Sequence, residues 1–198
     1  MADFKFANSL AEVPGKPSLP EEFTITASPS TDIWSKPPSV ERFNAPILYK
    51  SVPLTTFERA RASFSANWTH QYEQGGLILV LNYANGSRKW VKTGIELTHG
   101  KPHLSTATKD RWADWSLYPV TLEGDGTTTI EMIRDQEDTL WIYHVKDGQK
   151  YPLREITWVF EKGVAVTDFW VGVFAAKPSS EPGDLVVKFS SVVIDVSQ

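Results

Sequence analysis

The chain has 198 residues, no cysteine and a formal net charge of -4 at pH 7. The absence of cysteine excludes disulfides, thiolate metal sites and cysteine nucleophiles, and it fits a reducing compartment. The acidic balance, without a run of Lys or Arg, argues against nucleic acid as a partner. The N-terminus lacks the apolar segment of a signal peptide, and LILVL at 77–81 is too short to span a membrane, so we expect a cytoplasmic protein with no membrane partner.

Eight tryptophans are the compositional anomaly. A buried indole N–H needs a hydrogen-bond partner, so an excess of Trp suggests that some of these residues line a wet cleft. Aromatic residues are also favoured in β-strands. The composition alone therefore leaves open whether the tryptophans line a cleft or fill the core.

Residues 1–29 begin a Pro- and Ser-rich N-terminal arm that continues to residue 53 and includes short edge pieces such as 23–27. From residue 57 onward, short alternating runs are separated by turn residues, and no amphipathic helix is evident. We predict one domain over 1–198, with the arm of residues 1–29 packed on or near it.

The strongest local signal is a hairpin. The run YEQGGLILVLNY is joined through ANGS to RKWVKTGIELTHG, and Asn-Gly is the preferred dipeptide of a tight hairpin turn. Later runs, from HLSTAT to LVVKFSSVVIDV, give about ten to twelve short strands in all, with turns such as EGDGT and KDGQ between them. The pattern predicts an all-β jelly-roll sandwich of two antiparallel sheets, with an immunoglobulin-like sandwich as the second choice.

The stretch RKWVKTGIE carries the main functional prediction. Strand alternation places Trp90, Lys92, Gly94 and Glu96 on one face, with the side chains of Lys92 and Glu96 about 13 Å apart and unable to pair directly. We expect a cleft floor in which Trp90 stacks on a ligand, Lys92 donates a hydrogen bond, and Glu96 accepts one or acts as a base. Gly94 is expected to leave a notch for the substrate. The alternative is a solvated strand face.

Three other residues are weaker candidates. Tyr72 and Gln74 share alternation on the strand that pairs with RKWVKTGIE, so they are expected to line the same cleft; alternatively, Gln74 caps the following Gly pair. Arg154 is a candidate for holding an anion or pairing with a carboxylate, and a surface salt bridge is the alternative.

Five segments taken in order resemble one family: YEQGGLIL at 72–79, RKWVKTGIE at 88–96, DWS at 114–116, LWIYH at 140–144 and VGVFAAKP at 171–178. They are similar to the concanavalin A-like family of uncharacterised proteins that includes the regulation-of-enolase proteins. Trp34 followed by Pro37 resembles an early Trp-Pro element of that family, which adds Trp34 to the candidate ligand-binding residues. The family's Tyr-Asp-Gln is Tyr72-Glu73-Gln74 here. The resemblance implies a jelly roll with a cleft on its concave sheet and no defined reaction.

Several chemistries lack their sequence signature. No Gly-x-Ser-x-Gly elbow, phosphate loop or dinucleotide fingerprint occurs, and His99 and His103 have no third ligand nearby. Carboxylates on alternate residues of one strand, typical of glycosidases with this fold, are also missing, since Ile133 separates Glu131 from Asp135. We expect neither a metal nor a cofactor.

Three functions fit these observations. The first is binding of a small organic ligand in a Trp-lined cleft by a cofactor-free enzyme of the cyclase, isomerase or lyase type, which acts by positioning and hydrogen bonding. Its predicted catalytic residues are Lys92 and Glu96, and its predicted ligand-binding residues are Tyr72, Gln74, Trp90, Arg154 and Trp34. The second is a carbohydrate-binding module or glycosidase-like protein, and the third is a regulatory protein that binds a metabolic enzyme. The sequence also leaves open whether the protein forms a homodimer.

Overall fold

A computed structural model describes residues 3–15, 18–163 and 165–197, and these residues form a β-sandwich. The strands described are β1 (Lys5–Ala7), β2 (Glu22–Ala27), β3 (Ile33–Lys36), β4 (Val40–Phe43), β5 (Ile47–Ser51), β6 (Phe57–Ser65), β7 (Gln74–Tyr83), β8 (Arg88–Thr98), β9 (Lys101–Lys109), β10 (Ala113–Pro119), β11 (Thr128–Arg134), β12 (Leu140–Lys146), β13 (Gln149–Ile156), β14 (Val166–Ala176) and β15 (Leu185–Val196). A short 3-10 helix, Leu54–Thr56, precedes β6. Within the described ranges, no helix has the length and apolarity that crossing a bilayer requires.

The strands form two large antiparallel sheets and a small ribbon. The seven-stranded sheet has the order β1-β5-β14-β7-β8-β9-β10, the six-stranded sheet has the order β13-β12-β11-β6-β15-β2, and β3 pairs with β4 alone. The predicted jelly-roll sandwich is therefore confirmed. The N-terminal arm contributes β1 to the edge of one sheet and β2 to the edge of the other.

Two apolar clusters follow from strand alternation. The main core lies between the sheets and includes Val91 and Ile95 from one face of β8. The second cluster lies on the opposite face of the seven-stranded sheet, called the outer face below, and includes Trp90 of β8. Because Ile33 of β3 belongs to this cluster and Phe43 of β4 packs against it, the β3–β4 ribbon covers part of the outer face. Both faces of β8 are thus buried, which explains its nearly continuous burial.

Gly94 has a different role from the one predicted. A Cβ atom built on Gly94 would lie 2.0 Å from the carbonyl oxygen of Gly75 on the paired strand β7. The glycine therefore permits close approach of two backbones and leaves no notch for a ligand.

We expect Gly94→Ala to lower the free energy of unfolding by about 2 to 3 kcal/mol, because backbone atoms must move to relieve the overlap. Gly75→Ala is the matched control, since its Cβ would meet the methyl groups of Val187 at 3.1 Å and the backbone oxygen of Phe174 at 3.3 Å, both much longer than the 2.0 Å contact at Gly94. Urea denaturation of both variants measures the difference. Equal losses would contradict the backbone argument.

Candidate functional site

A cavity of about 450 Å³ lies on the outer face of the seven-stranded sheet, beside the β3–β4 ribbon. This volume lies in the range typical of small-molecule sites. The sheet supplies polar side chains from β7 and β8, and the ribbon supplies the opposite wall. The lining residues are Asp32, Trp34, Lys36, Val40, Arg42, Tyr72, Gln74, Lys92, Glu96, Ala107, Trp115 and Pro178.

Lys92 is the most unusual residue of the cavity. It is only 4% exposed, and its Nζ donates a hydrogen bond to Gln74 Oε1. The aromatic rings of Trp90 and Phe174 lie 5.7 and 5.8 Å from Nζ. Burial of the ammonium group lowers the pKa of Lys92, and the opposing effects of the Glu96 and Asp32 charges do not cancel this. The site therefore favours the neutral amine more than water does.

Glu96 lies on the same strand as Lys92 and on the same face. It is 5% exposed, and its Oε2 accepts a hydrogen bond of 2.9 Å from Ser105 Oγ, which in turn accepts one of 2.9 Å from Trp115 Nε1. Burial raises the pKa of the Glu96 carboxyl group, and the charge of Asp32 adds to this; Lys92 and the Ser105 hydrogen bond act in the opposite direction. A buried amine and a buried carboxyl group thus face one cavity with their pKa values shifted toward each other.

Three aromatic side chains form a wall of the cavity. The ring of Trp115 is met edge-on by Trp34, at a centroid distance of 6.0 Å, and by Tyr72, at 6.1 Å. Tyr72 has a φ of 67°, a left-handed conformation that is rare and unfavourable for a bulky residue. Its backbone N–H donates to Leu97 O, which holds the ring beside the cavity. The wall offers flat apolar surfaces to a ring-shaped ligand.

Asp32 and Arg42 line the ribbon side. The side chains form an ion pair of 3.4 Å, and Asp32 Oδ1 accepts a hydrogen bond of 2.8 Å from Ile33 N. The ribbon is also tied to the sheet by an ion pair between Glu41 and Lys109 Nζ, at 2.5 Å. Asp32 adds a second carboxyl group to the cavity that holds Glu96.

A buried ion pair next to the cavity fixes the segment that carries Tyr72 and Gln74. Glu73 Oε1 lies 3.5 Å from Lys177 Nζ and 3.0 Å from His70 Nδ1, and Oε2 accepts a hydrogen bond of 2.7 Å from Thr69 N. Burial alone raises the pKa of Glu73, but the hydrogen bonds from Thr69 and His70 and the charge of Lys177 outweigh it, so this pKa lies below its ordinary value. Glu73 is thus an anchor next to the cavity.

The cavity brings together five of the seven residues predicted from sequence, which are Lys92, Glu96, Tyr72, Gln74 and Trp34. Trp90 does not line it: its side chain is fully buried in the cluster under the ribbon, where it contacts Lys92 from below. Its expected role in stacking on a ligand is therefore replaced by a packing role.

Arg154 lies elsewhere. Its guanidinium group pairs with Asp114 and donates a hydrogen bond of 3.1 Å to Ser116 Oγ, so it links β13 of the six-stranded sheet to β10 of the seven-stranded sheet. Arg154 therefore forms a salt bridge, which was the alternative to anion binding in the sequence analysis. Its partner lies on the other sheet.

Sequence reasoning missed Asp32, Arg42 and Ser105, and for Trp115, as for the tryptophans in general, it left open whether the ring lines a cleft or fills the core. Ser105 had a usable signal, because it alternates with Ala107 on the strand after the hairpin. Asp32 and Arg42 had none, since Asp32 immediately precedes β3 and Arg42 lies on β4, in a ribbon outside both sheets. Among the residues that the structure describes, no group of three or more His, Cys, Asp or Glu side chains is arranged to hold a metal ion.

Together, the two antiparallel sheets define a jelly-roll β-sandwich that carries a cavity on the outer face of one sheet. The chain belongs to the family described as protein of unknown function DUF1349, whose model matches residues 13–196. It is 62% identical to an uncharacterized protein of Emericella nidulans over 197 residues, which covers 100% of this chain and 98% of that protein. The link to the regulation-of-enolase proteins stays a prediction.

Solved structures agree with this class of fold. A functionally unknown protein from Saccharomyces cerevisiae matches with a TM-score of 0.77 and 20% identity, covering 99% of this chain and 97% of that one. An immunostimulatory antigen and pseudo β-1,3-glucanase of Mycobacterium tuberculosis matches with a TM-score of 0.55 and 11% identity, covering 98% and 91%. At these identities the likeness concerns the fold alone.

Proposed function

We propose that this protein binds a small organic molecule in the outer-face cavity and catalyses a proton-transfer reaction on it, as an isomerase or cyclase without a cofactor. The observation that carries the proposal is that a buried amine, Lys92, and a buried carboxyl group, Glu96, line one aromatic-walled cavity. Groups with pKa values shifted toward neutrality suit general acid and base roles near pH 7.

The cavity supplies the two ingredients that such catalysis needs. The aromatic wall of Trp34, Tyr72 and Trp115 positions a ring or an extended planar molecule. Lys92 and Glu96 then act from the floor, with Gln74 and Ser105 fixing the directions of their hydrogen bonds.

Tryptophan fluorescence tests the proposal, because two of the eight tryptophans line the cavity. A panel of small ring compounds is screened for quenching, and hits are followed for turnover. Glu96→Gln is expected to lower turnover by about 10² to 10⁴-fold, because glutamine cannot exchange a proton. Glu155→Gln, at an exposed position of β13, is the matched control and should leave turnover unchanged.

Two outcomes would refute the proposal. One is that no compound of the panel quenches fluorescence or is turned over. The other is a bound compound whose turnover is the same in wild type, Glu96→Gln and Glu155→Gln.

A carbohydrate-directed function is the second candidate. It is favoured by the two carboxyl groups, Asp32 and Glu96, that line one cavity beside stacking aromatic residues, and by the name of the mycobacterial pseudo β-1,3-glucanase, which shares the fold. Asp32→Asn separates the two candidates. Loss of sugar release from a glycan panel would support hydrolysis, whereas proton transfer by Lys92 and Glu96 should fall less than about tenfold, because Asp32 acts there only through its charge. The regulatory role on a metabolic enzyme stays a prediction.

A further inference from the structure

Lys92 differs from the other buried lysines in what its amine contacts. Lys177 is 1% exposed and lies 3.5 Å from Glu73, and Lys109 is 9% exposed and lies 2.5 Å from Glu41. Lys92 is equally buried, yet among the described residues no carboxylate oxygen lies within 4.0 Å of its Nζ, and its hydrogen-bond acceptor is the neutral amide of Gln74. Lysine is rarely fully buried without a counter-ion, so this arrangement needs an explanation.

An uncharged amine resolves the problem. A neutral Lys92 donates one N–H to Gln74 Oε1 and keeps a lone pair. Gln74 is itself oriented, because its Nε2 donates a hydrogen bond of 3.2 Å to Tyr72 O. Desolvated lysines of this kind act as nucleophiles toward carbonyl groups.

The surroundings suit a carbonyl compound. The charge of Asp32 is paired with Arg42 at 3.4 Å, and the Glu96 carboxyl group lines the same cavity as Lys92. Burial raises the pKa of that carboxyl group, so it holds a proton more readily than an exposed glutamate does. A carbonyl carbon can accept the Lys92 lone pair, and Glu96 can give the carbonyl oxygen a proton.

We propose, resting on the function proposed above, that the substrate carries a ketone or aldehyde group and that Lys92 forms an imine with it. The Nζ lone pair bonds to the carbonyl carbon while the C=O π pair moves to oxygen, which takes a proton from Glu96. Nitrogen returns a proton to Glu96 through a bridging water molecule, because no described carboxylate oxygen lies within 4.0 Å of Nζ, and a neutral carbinolamine results. Its hydroxyl group then leaves with a proton from Glu96 as water, and the remaining iminium proton returns to Glu96 by the same bridged route. The net change is amine plus carbonyl to imine plus water.

Reductive methylation tests the amine directly, with formaldehyde as the carbonyl probe and cyanoborohydride as the reductant. At pH 7 an ordinary lysine, with a pKa near 10.4, is almost entirely charged, and each unit below that value gives about tenfold more neutral amine. We expect Lys92 to be methylated at least about tenfold faster than exposed lysines at pH 7, read by peptide mass. Lys177, equally buried but ion-paired, is the internal control and should stay unlabelled.

Gln74→Glu is the matched variant. It replaces the neutral partner of Lys92 with a carboxylate of the same shape, which holds the amine as ammonium. Labelling of Lys92 should then fall at least about tenfold, while exposed lysines keep their rates. Benzaldehyde with cyanoborohydride is the second probe, because it fits the aromatic wall and should give a benzyl adduct at the same residue.

The inference fails if Lys92 stays unlabelled by both probes, or if it reacts at the rate and pH dependence of exposed lysines. That failure is separable from failure of the proposed function. Ligands that quench fluorescence and are turned over in a Glu96-dependent manner, without a trapped adduct, would overturn the imine and leave acid and base catalysis standing. If Lys92 is labelled but turnover is the same in wild type and Glu96→Gln, the proposed function is overturned instead.

Discussion

Lys92→Met is expected to lower turnover strongly without lowering the free energy of unfolding. Methionine matches the length of the lysine stem and fits the apolar surroundings of Trp90 and Phe174. The substitution removes the cost of burying an amine that has no counter-ion. Gln74 Oε1 loses the hydrogen bond from Lys92, but it lies beside a cavity in which water can donate instead. We expect the free energy of unfolding to be up to about 2 kcal/mol higher than in wild type. Turnover should fall by at least about 10²-fold.

The pH dependence of stability gives an independent check. The pKa of Lys92 is lowered in the folded protein, so between that value and the ordinary value of about 10.4 the unfolded chain binds more protons. Stability from this group therefore rises with pH across that window. Lys92→Met should lack this rise, which urea denaturation from pH 6 to 10 measures. A loss of more than about 2 kcal/mol at pH 7 would instead make Lys92 a structural residue.

Strand alternation predicted the floor of the cavity because it depends only on the two-residue period of an extended chain. Lys92 and Glu96 had to emerge on one face, and the Asn-Gly hairpin placed Gln74 directly opposite Glu96. Alternation does not say what covers a face. Trp90 lies under the β3–β4 ribbon and is buried, whereas Lys92, one alternation further, borders the cavity.

The rest of the site depends on contacts that no local pattern encodes. Asp32 and Trp34 come from a ribbon that pairs with neither sheet, so its position is set by packing against the outer face. The sequence shows that Gly94 has no side chain, which predicts a gap. It does not show that the carbonyl oxygen of Gly75 approaches Gly94 closely and fills that space. Arg154 pairs across the two sheets with Asp114, which no spacing along one strand predicts.

The role of Glu73 shows the same limit and leads to a second large effect. Glu73 immediately precedes β7, and its partner Lys177 comes much later in the sequence, immediately after β14. Both side chains are almost fully buried. Their ion pair fixes the segment between Thr69 and Gln74, and with it one side of the cavity.

Lys177→Met is expected to lower the free energy of unfolding by about 3 to 5 kcal/mol, because it leaves the buried Glu73 carboxylate without its counter-ion. The same substitution at Lys92 is the matched comparison, since both lysines are buried and only one is paired. Urea denaturation at pH 7 should therefore show opposite signs for the two variants. Ligand binding should also weaken in Lys177→Met, because Tyr72 and Gln74 lose their anchor.

Acid titration tests the same ion pair. The pKa of Glu73 is lowered in the folded protein, so its contribution to stability is complete above the ordinary glutamate value of about 4.3 and is lost as the pH falls through the folded value. Lys177→Met should shift this loss to higher pH. Adding Glu73→Gln to Lys177→Met removes the uncompensated charge and should recover at least half of the lost stability. Equal stability of the single and double variants would show that the charge of Glu73 is not what Lys177 neutralises.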